Sequence, residues 1–178
     1  MSEREVIQAS VEGPIVREGL VADLTSLGIE RGMTLVVHSS LRSLGWVVGG
    51  PVTVVQALRE CLGETGTLVI PTHTSDLSDP SGWSNPPVDP SWWPIIRRHM
   101  PAFDPNLTPT RGMGAIAECF RKADGVLRSG HPHASFAALG PHAEFVTRGC
   151  LLAAGRSFTE SWGRDSQFWW LDATNFRL

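Results

Sequence analysis

The sequence predicts an α/β fold with a mixed or mostly parallel sheet and flanking helices. Three observations predict it. Short β-branched and apolar runs stand at 34–38 and 66–70, the pattern of strands buried on both faces. Between them, Pro51 opens a stretch in which Val54, Val55, Leu58 and Leu62 recur at helical spacing until Gly63. A helix joining two strands in this way makes a right-handed βαβ unit the expectation. The chain has 178 residues, which suits one α/β domain with its own core better than two.

In chain order, residues 1–13 are polar and predict a loose start. Gly13-Pro14 then opens a helix with Ile15, Leu20, Leu24 and Leu27 on its apolar stripe, closed by Gly28. The strand over 34–38 follows, then the segment 38–50, rich in serine and glycine, then the helix from Pro51 and the second strand, which ends at Pro71. From 72 to 109 the texture changes: this stretch holds most of the prolines together with Trp83, Trp92 and Trp93, with a helical turn over 92–98. An excursion of this length in a compact domain is typically a lid or binding surface, although tryptophan and proline also pack as a plain cover. Thr110-Arg-Gly-Met-Gly114 introduces a short helix over 115–122 with Ile116, Cys119 and Phe120 inward. A turn over 128–133, a small strand over 134–139 and a helix from Gly140-Pro141 through Val146 complete the readable part. Residues 150–178 carry Trp162, Trp169 and Trp170 without a settled period.

A formal charge of -3 with both signs interspersed gives nucleic acid or an anionic membrane surface no electrostatic support. No apolar run reaches membrane-spanning length, and the start, Met1-Ser-Glu-Arg-Glu5, lacks the signature of a secretory signal. Cys61, Cys119 and Cys150 are an odd number at long spacings, which argues against a disulfide framework and for a reducing compartment, the cytoplasm. Cys61 and Cys119 read as core residues.

Segment 38–50 lies where a strand ends and a helix begins, the place where free NH groups favour an anion. The competing reading is an ordinary crossover turn, and neither a Walker pattern nor a dinucleotide fingerprint is present. Arg111, beside two glycines, is placed to meet a phosphate. His38 at a strand end is a candidate base, or a histidine satisfying a neighbouring backbone group. Ser39 and Ser40 occupy a strand-to-helix turn, but no Gly-x-Ser-x-Gly surrounds them, which favours hydrogen-bond donors over nucleophiles. His131 and His133, with His73, Asp76 and Asp79, offer nitrogen and oxygen ligands for a metal. The His-Pro-His spacing is not diagnostic, so no metal is assigned.

Val37-His-Ser-Ser-Leu41, Leu44-Gly-Trp-Val-Val-Gly-Gly50, Gly63-Glu-Thr-Gly-Thr67, Thr110-Arg-Gly-Met-Gly114 and Arg128-Ser-Gly-His-Pro132 together resemble the aminoglycoside N3-acetyltransferase family, particularly its Bacillus-type branch. The wording Leu77-Ser-Asp-Pro80 through Trp83-Ser-Asn-Pro-Pro87 and Trp92-Trp93 is similar to that branch as well. The resemblance implies an antibiotic N-acetyltransferase-like fold and transfer of acetyl from acetyl-CoA to the 3-amino group of a 2-deoxystreptamine aminoglycoside or similar amine. It further implies that His38, Ser39, Ser40, Leu41, Ser43, Leu44, Gly45, Val47, Arg111 and Gly112 hold CoA. Thr72, Asp76 and His131 are the implied substrate contacts.

The chemistry requires a base for the attacking amine and donors for the tetrahedral oxyanion. In the family that base is the histidine of a His-x-Ala-Glu motif. No position here receives it, so the catalytic residues stay unassigned. The resemblance stops near 148, which divides the chain into a partial acetyltransferase domain over 1–148, its CoA-binding half, and a non-matching tail over 149–178. Gly155-Arg-Ser-Phe-Thr-Glu160 can be encoded so that a one-base shift reads Gly-Glu-Ala-Ser-Pro, a family-like segment. The expectation is therefore a truncated or frameshifted product, with an uncovered sheet edge, tail tryptophans over part of it, and a tendency to self-associate. Two other readings remain: a non-catalytic CoA- or nucleotide-binding fragment, and a metal-dependent hydrolase using His73, Asp76, His131 and His133.

Overall fold

The computed structural model describes residues 3–152 and 168–173. Its centre is the pair of strands read from the sequence, β1 (Thr34–Ser39) and β2 (Thr67–Pro71), which run parallel with Thr34 opposite Thr67 and Val36 opposite Val69. Helix α4 (Pro51–Leu62) joins them and buries Val54, Val55, Ala57, Leu58, Cys61 and Leu62. Pro51 at its first turn and Gly63 after its last (φ 63°) set its ends as the sequence implies.

The sheet is mixed, in the order β3 (Leu127–Arg128), β4 (Phe136–Leu139), β2, β1, β5 (Phe168–Ala173). Strand β4 lies antiparallel to β2, and the two-residue β3 lies antiparallel to β4. Side chains alternate across it. Leu35, Val37, Leu68, Ile70 and Ala137 face one core with α4, α2 (Arg17–Ser26) and α6 (Gly114–Phe120). Val36, Val69, Phe136 and Ala138 face the other with Ala143 and Val146 of α7 (Ala143–Leu152). Covered on both faces, the central strands read as unbroken apolar runs for this reason.

Part of the tail joins the sheet. Residues Phe168–Ala173 form β5, which pairs in parallel with β1 along its whole length, Thr34 opposite Phe168 through Ser39 opposite Ala173. The edge of β1 is thus covered by backbone pairing, in a stretch that showed no strand period. Trp162 and Gly155-Arg-Ser-Phe-Thr-Glu160 lie outside the described residues.

The N-terminus departs from the expected pattern. Residues Glu3–Ala9 form α1, and Ile15 belongs to no helix. It makes an isolated parallel bridge with Val47: its NH donates to the Trp46 carbonyl and its carbonyl accepts from the Val48 NH, both at 2.9 Å. A partner distant in sequence overrides the local helical pattern here, and α2 begins only at Arg17. Segment 38–50 is itself more structured than a turn. It contains the short helix α3 (Leu41–Leu44) before the bridge to Ile15.

The excursion folds on itself. Asp79 and Asp89 each cap a 3-10 turn through the NH of Ser81 and Ser91. Arg97, on α5 (Trp93–His99), grips Asp79 with two hydrogen bonds of 2.9 Å and lies 5.7 Å from the Trp93 ring centre.

Candidate functional site

The C-terminal ends of β1 and β2 converge with three loops on one side of the sheet. At the end of β1, His38, Ser39 and Ser40 are half-buried, and α3 follows with Leu41 and Leu44 packed on the core. Gly45 turns the chain at φ 107°, where a side chain would crowd Ser10 and Ile15. Val47 is buried, so its side chain builds the loop from within, while Gly49 and Gly50 reach α4 with positive φ. An alanine at 49 would also collide with the Thr53 hydroxyl.

Segment 111–114 comes to this same place. The Arg111 NH donates to the His73 carbonyl at 2.9 Å, and Thr110 binds Glu118 through both its NH and its hydroxyl, tying the approach to α6. A β-carbon at Gly114 would stand 3.9 Å from the Ser39 carbonyl oxygen. The two segments that the sequence assigned to one ligand are therefore neighbours. Gly112, at φ 71°, has open space where a side chain would be. The exposed Arg111 guanidinium, the backbone at Gly112 and the serines at the end of β1 are the groups here that could hold a phosphate.

Beyond β2 lie Thr72, Asp76 and His131, the substrate contacts that the family resemblance implies. Thr72 is fully buried; its NH donates to the Ser135 carbonyl at 2.8 Å and its hydroxyl lies 3.1 Å from that of Ser135. It supports the floor and does not face solvent. Asp76 is exposed and paired with Arg111, Nη1 to Oδ2 at 3.3 Å. His131 accepts from the NH groups of His133 and Ala134 on Nδ1, at 3.1 and 2.9 Å, which puts the proton of the neutral ring on Nε2. His73 packs edge-on to Phe136 with its Nε2 buried and without a partner. Burial holds its pKa below the ordinary histidine value, and the charges of His38, His133 and His131 push the same way. Four of the six histidines thus gather at this end of the sheet.

Two guanidinium groups that the sequence did not single out hold the loops in place. Arg128 donates to the Thr72 hydroxyl and carbonyl, the Ser135 hydroxyl and the carbonyls of Pro105 and Thr108, with its guanidinium 5.0 Å from the Phe103 ring centre. Burial, together with the nearby Arg121 charge, lowers its pKa to about 10. Arg121, buried where Arg128 is half-buried, binds Glu118 and the Asn106 carbonyl. That pairing, with help from Lys122 and Thr110, keeps Glu118 well below the usual carboxylate range. No sequence period announces a buried arginine; only its place beside Ser-Gly-His-Pro marked Arg128.

The rival chemistries find little support in this geometry. Among the described residues only glycines have positive φ, so Ser39 and Ser40 lack the strained turn of a nucleophile elbow. Among the same residues no three His, Cys, Asp or Glu side chains converge as metal ligands; Asp76 turns to Arg111 and His131 Nδ1 to backbone NH groups. A separate cleft of about 640 Å³, lined by Arg17, Arg31, Arg59 and Gly140 among others, opens near Gly66, just before β2.

The sequence model of the family described as aminoglycoside 3-N-acetyltransferase matches residues 36–171, extending past 148 to include most of β5. The SPbeta prophage-derived aminoglycoside N(3')-acetyltransferase-like protein YokD of Bacillus subtilis (strain 168) is 51% identical over 137 residues, 76% of this chain and 50% of that protein. Its crystal structure superposes with a TM-score of 0.78, covering 82% of this chain and 54% of that one, at 46% identity. The AAC-IIIb binary complex with CoASH gives 0.62 at 34% identity, covering 87% and 55%. AAC-VIa bound to sisomicin gives 0.65 at 33% identity, with the same coverage. The chain spans about half the length of the curated relatives it matches. With the motifs in order, the sheet in place and the family's sequence model spanning most of the chain, this chain belongs to the aminoglycoside 3-N-acetyltransferase family.

Proposed function

We propose that this chain forms the CoA-holding half of an acetyltransferase acting on the 3-amino group of a 2-deoxystreptamine aminoglycoside, in the cytoplasm. The observation that carries the reading is the meeting of segments 38–50 and 111–114 at the end of β1. A solved relative whose name records CoASH, and another that records sisomicin, support the two ligands. His38, Ser39, Ser40, Leu41, Ser43, Leu44, Gly45 and Val47 form the cradle, with Arg111 and Gly112 at its phosphate side. Beside Arg111, Asp76 attracts an ammonium group; His131 offers Nε2–H, and Thr72 holds the floor.

Acetyl-CoA supplies an acyl group activated as a thioester. The amine nitrogen forms a bond to its carbonyl carbon, the carbon–sulfur bond breaks, and the amine's proton must pass to a base. The sequence carries no His-x-Ala-Glu motif, and the Nε2 of His73 is buried. The chain therefore binds and orients the acetyl donor, and its second reading is a CoA-binding fragment without turnover. Release of CoA thiol from acetyl-CoA in the presence of sisomicin separates the two. Release above the uncatalysed background establishes turnover, and its absence with retained CoA binding establishes the fragment.

A further inference from the structure

Asp76 and Arg111, which the family resemblance makes contacts for opposite ligands, are bound to each other. Their ion pair is 3.3 Å long, and each side chain is 54% exposed. Both are carried on fixed backbone. The Arg111 NH is held by the His73 carbonyl, and Thr74, which opens the turn bearing Asp76, donates its NH to the His133 carbonyl at 3.0 Å. The pair also joins the entrance of the long excursion to its exit.

Resting on the function proposed above, we propose that the Asp76–Arg111 pair couples the two half-sites, so that each ligand, by capturing its own partner from the pair, releases the other residue for the second ligand. A CoA phosphate is attracted to Arg111, and an aminoglycoside ammonium to Asp76. Whichever ligand arrives first must compete with the pair. The second does not. Coupling of this kind is reciprocal by thermodynamic necessity. Its size is bounded by the strength of an exposed ion pair, which corresponds to a factor of roughly 1.5 to 5 in affinity.

The test is calorimetric titration of the whole chain with CoA and, separately, with sisomicin. The proteins are wild type, Asp76→Asn, Arg111→Met and the double variant, with Asp76→Ser as a second version of the first. Circular dichroism verifies that each is folded. Removing Asp76 is expected to tighten CoA by roughly 1.5- to 5-fold, because Arg111 is then free. Against an Arg111→Met background the same substitution changes nothing, which separates release of Arg111 from a general loss of negative charge. Sisomicin gives the mirror image, tighter with Arg111→Met and weaker with Asp76→Asn. In wild type, saturating sisomicin tightens CoA by the same factor, and added salt reduces that factor. CoA binding that Asp76→Asn leaves unchanged or weakens overturns the coupling alone. Failure of wild type to bind CoA overturns the functional reading with it.

Discussion

The guanidinium of Arg128 donates through Nη2 to the carbonyl oxygen of Thr72 at 2.7 Å. Its Nε lies 3.2 Å from the hydroxyl of the same residue. The grip clamps the last turn out of β2 to β3, and through Pro105 and Thr108 it fastens the far end of the proline-rich excursion to the sheet. Replacing Arg128 with Met removes a donor from five acceptor atoms; the Thr72 carbonyl and the Thr72 and Ser135 hydroxyls keep bonds among themselves, while the Pro105 and Thr108 carbonyls lose theirs. The expected cost is about 3 kcal/mol of unfolding free energy, read from urea midpoints. Arg128→Lys keeps the charge without the fork and recovers only part of it.

His73 predicts an acid-side loss of stability. Its pKa is lowered by burial first and by His38, His133 and His131 after it. The unfolded chain therefore takes up the proton at higher pH than the folded one does. The stability His73 contributes is complete above the ordinary histidine pKa and is lost as pH falls through that value toward the lowered one. This adds a slope of up to about 1.4 kcal/mol per pH unit. Denaturant titrations across that range should show a shallower slope for His73→Gln than for wild type.

Two glycines separate conformational strain from collision. At Gly140, φ is 127° and an added β-carbon would strike the backbone of Gly66 and Thr67, which cannot give way without opening β2. Gly140→Ala should cost more than about 3 kcal/mol. Gly112 also has positive φ, but its space is open, so Gly112→Ala should cost only about 1 kcal/mol. Thermal unfolding of the two variants side by side checks the difference.

How much of this was legible depends on whether a residue's conformation is set locally. Strands β1 and β2 and helix α4 were, since burial on both faces or on one stripe writes its own period. Ile15 was not. It continues the apolar spacing of Leu20 and Leu24, yet the backbone of Trp46 and Val48 claims it. Strand β5 was hidden for the same reason: a parallel pairing with β1, more than a hundred residues away, leaves no local signature. In the candidate site, the motif wording located segments 38–50 and 111–114 and the resemblance gave them their ligand. Arg128, Arg121 and Ser10 went unread, because a buried guanidinium or a hydroxyl bound to the Trp46 NH depends on partners that only the fold assembles.

Strand β5 carries a prediction about association. Deleting residues 168–178 removes the strand paired with Thr34–Ser39 and exposes the edge of β1. That edge is a template for pairing with another chain. Light scattering after size exclusion should show a larger mean mass for the deletion than for the full chain at the same concentration.

The central claim is that segments 38–50 and 111–114 form one CoA cradle. Calorimetric titration of the full chain with CoA tests it most directly, with Gly112→Val as the variant that fills the open space beside Arg111. Wild type should bind one CoA per chain saturably. In the variant, affinity should be weakened about tenfold or more by the lost close approach. No saturable binding by wild type, or equal binding by the variant, would contradict the claim.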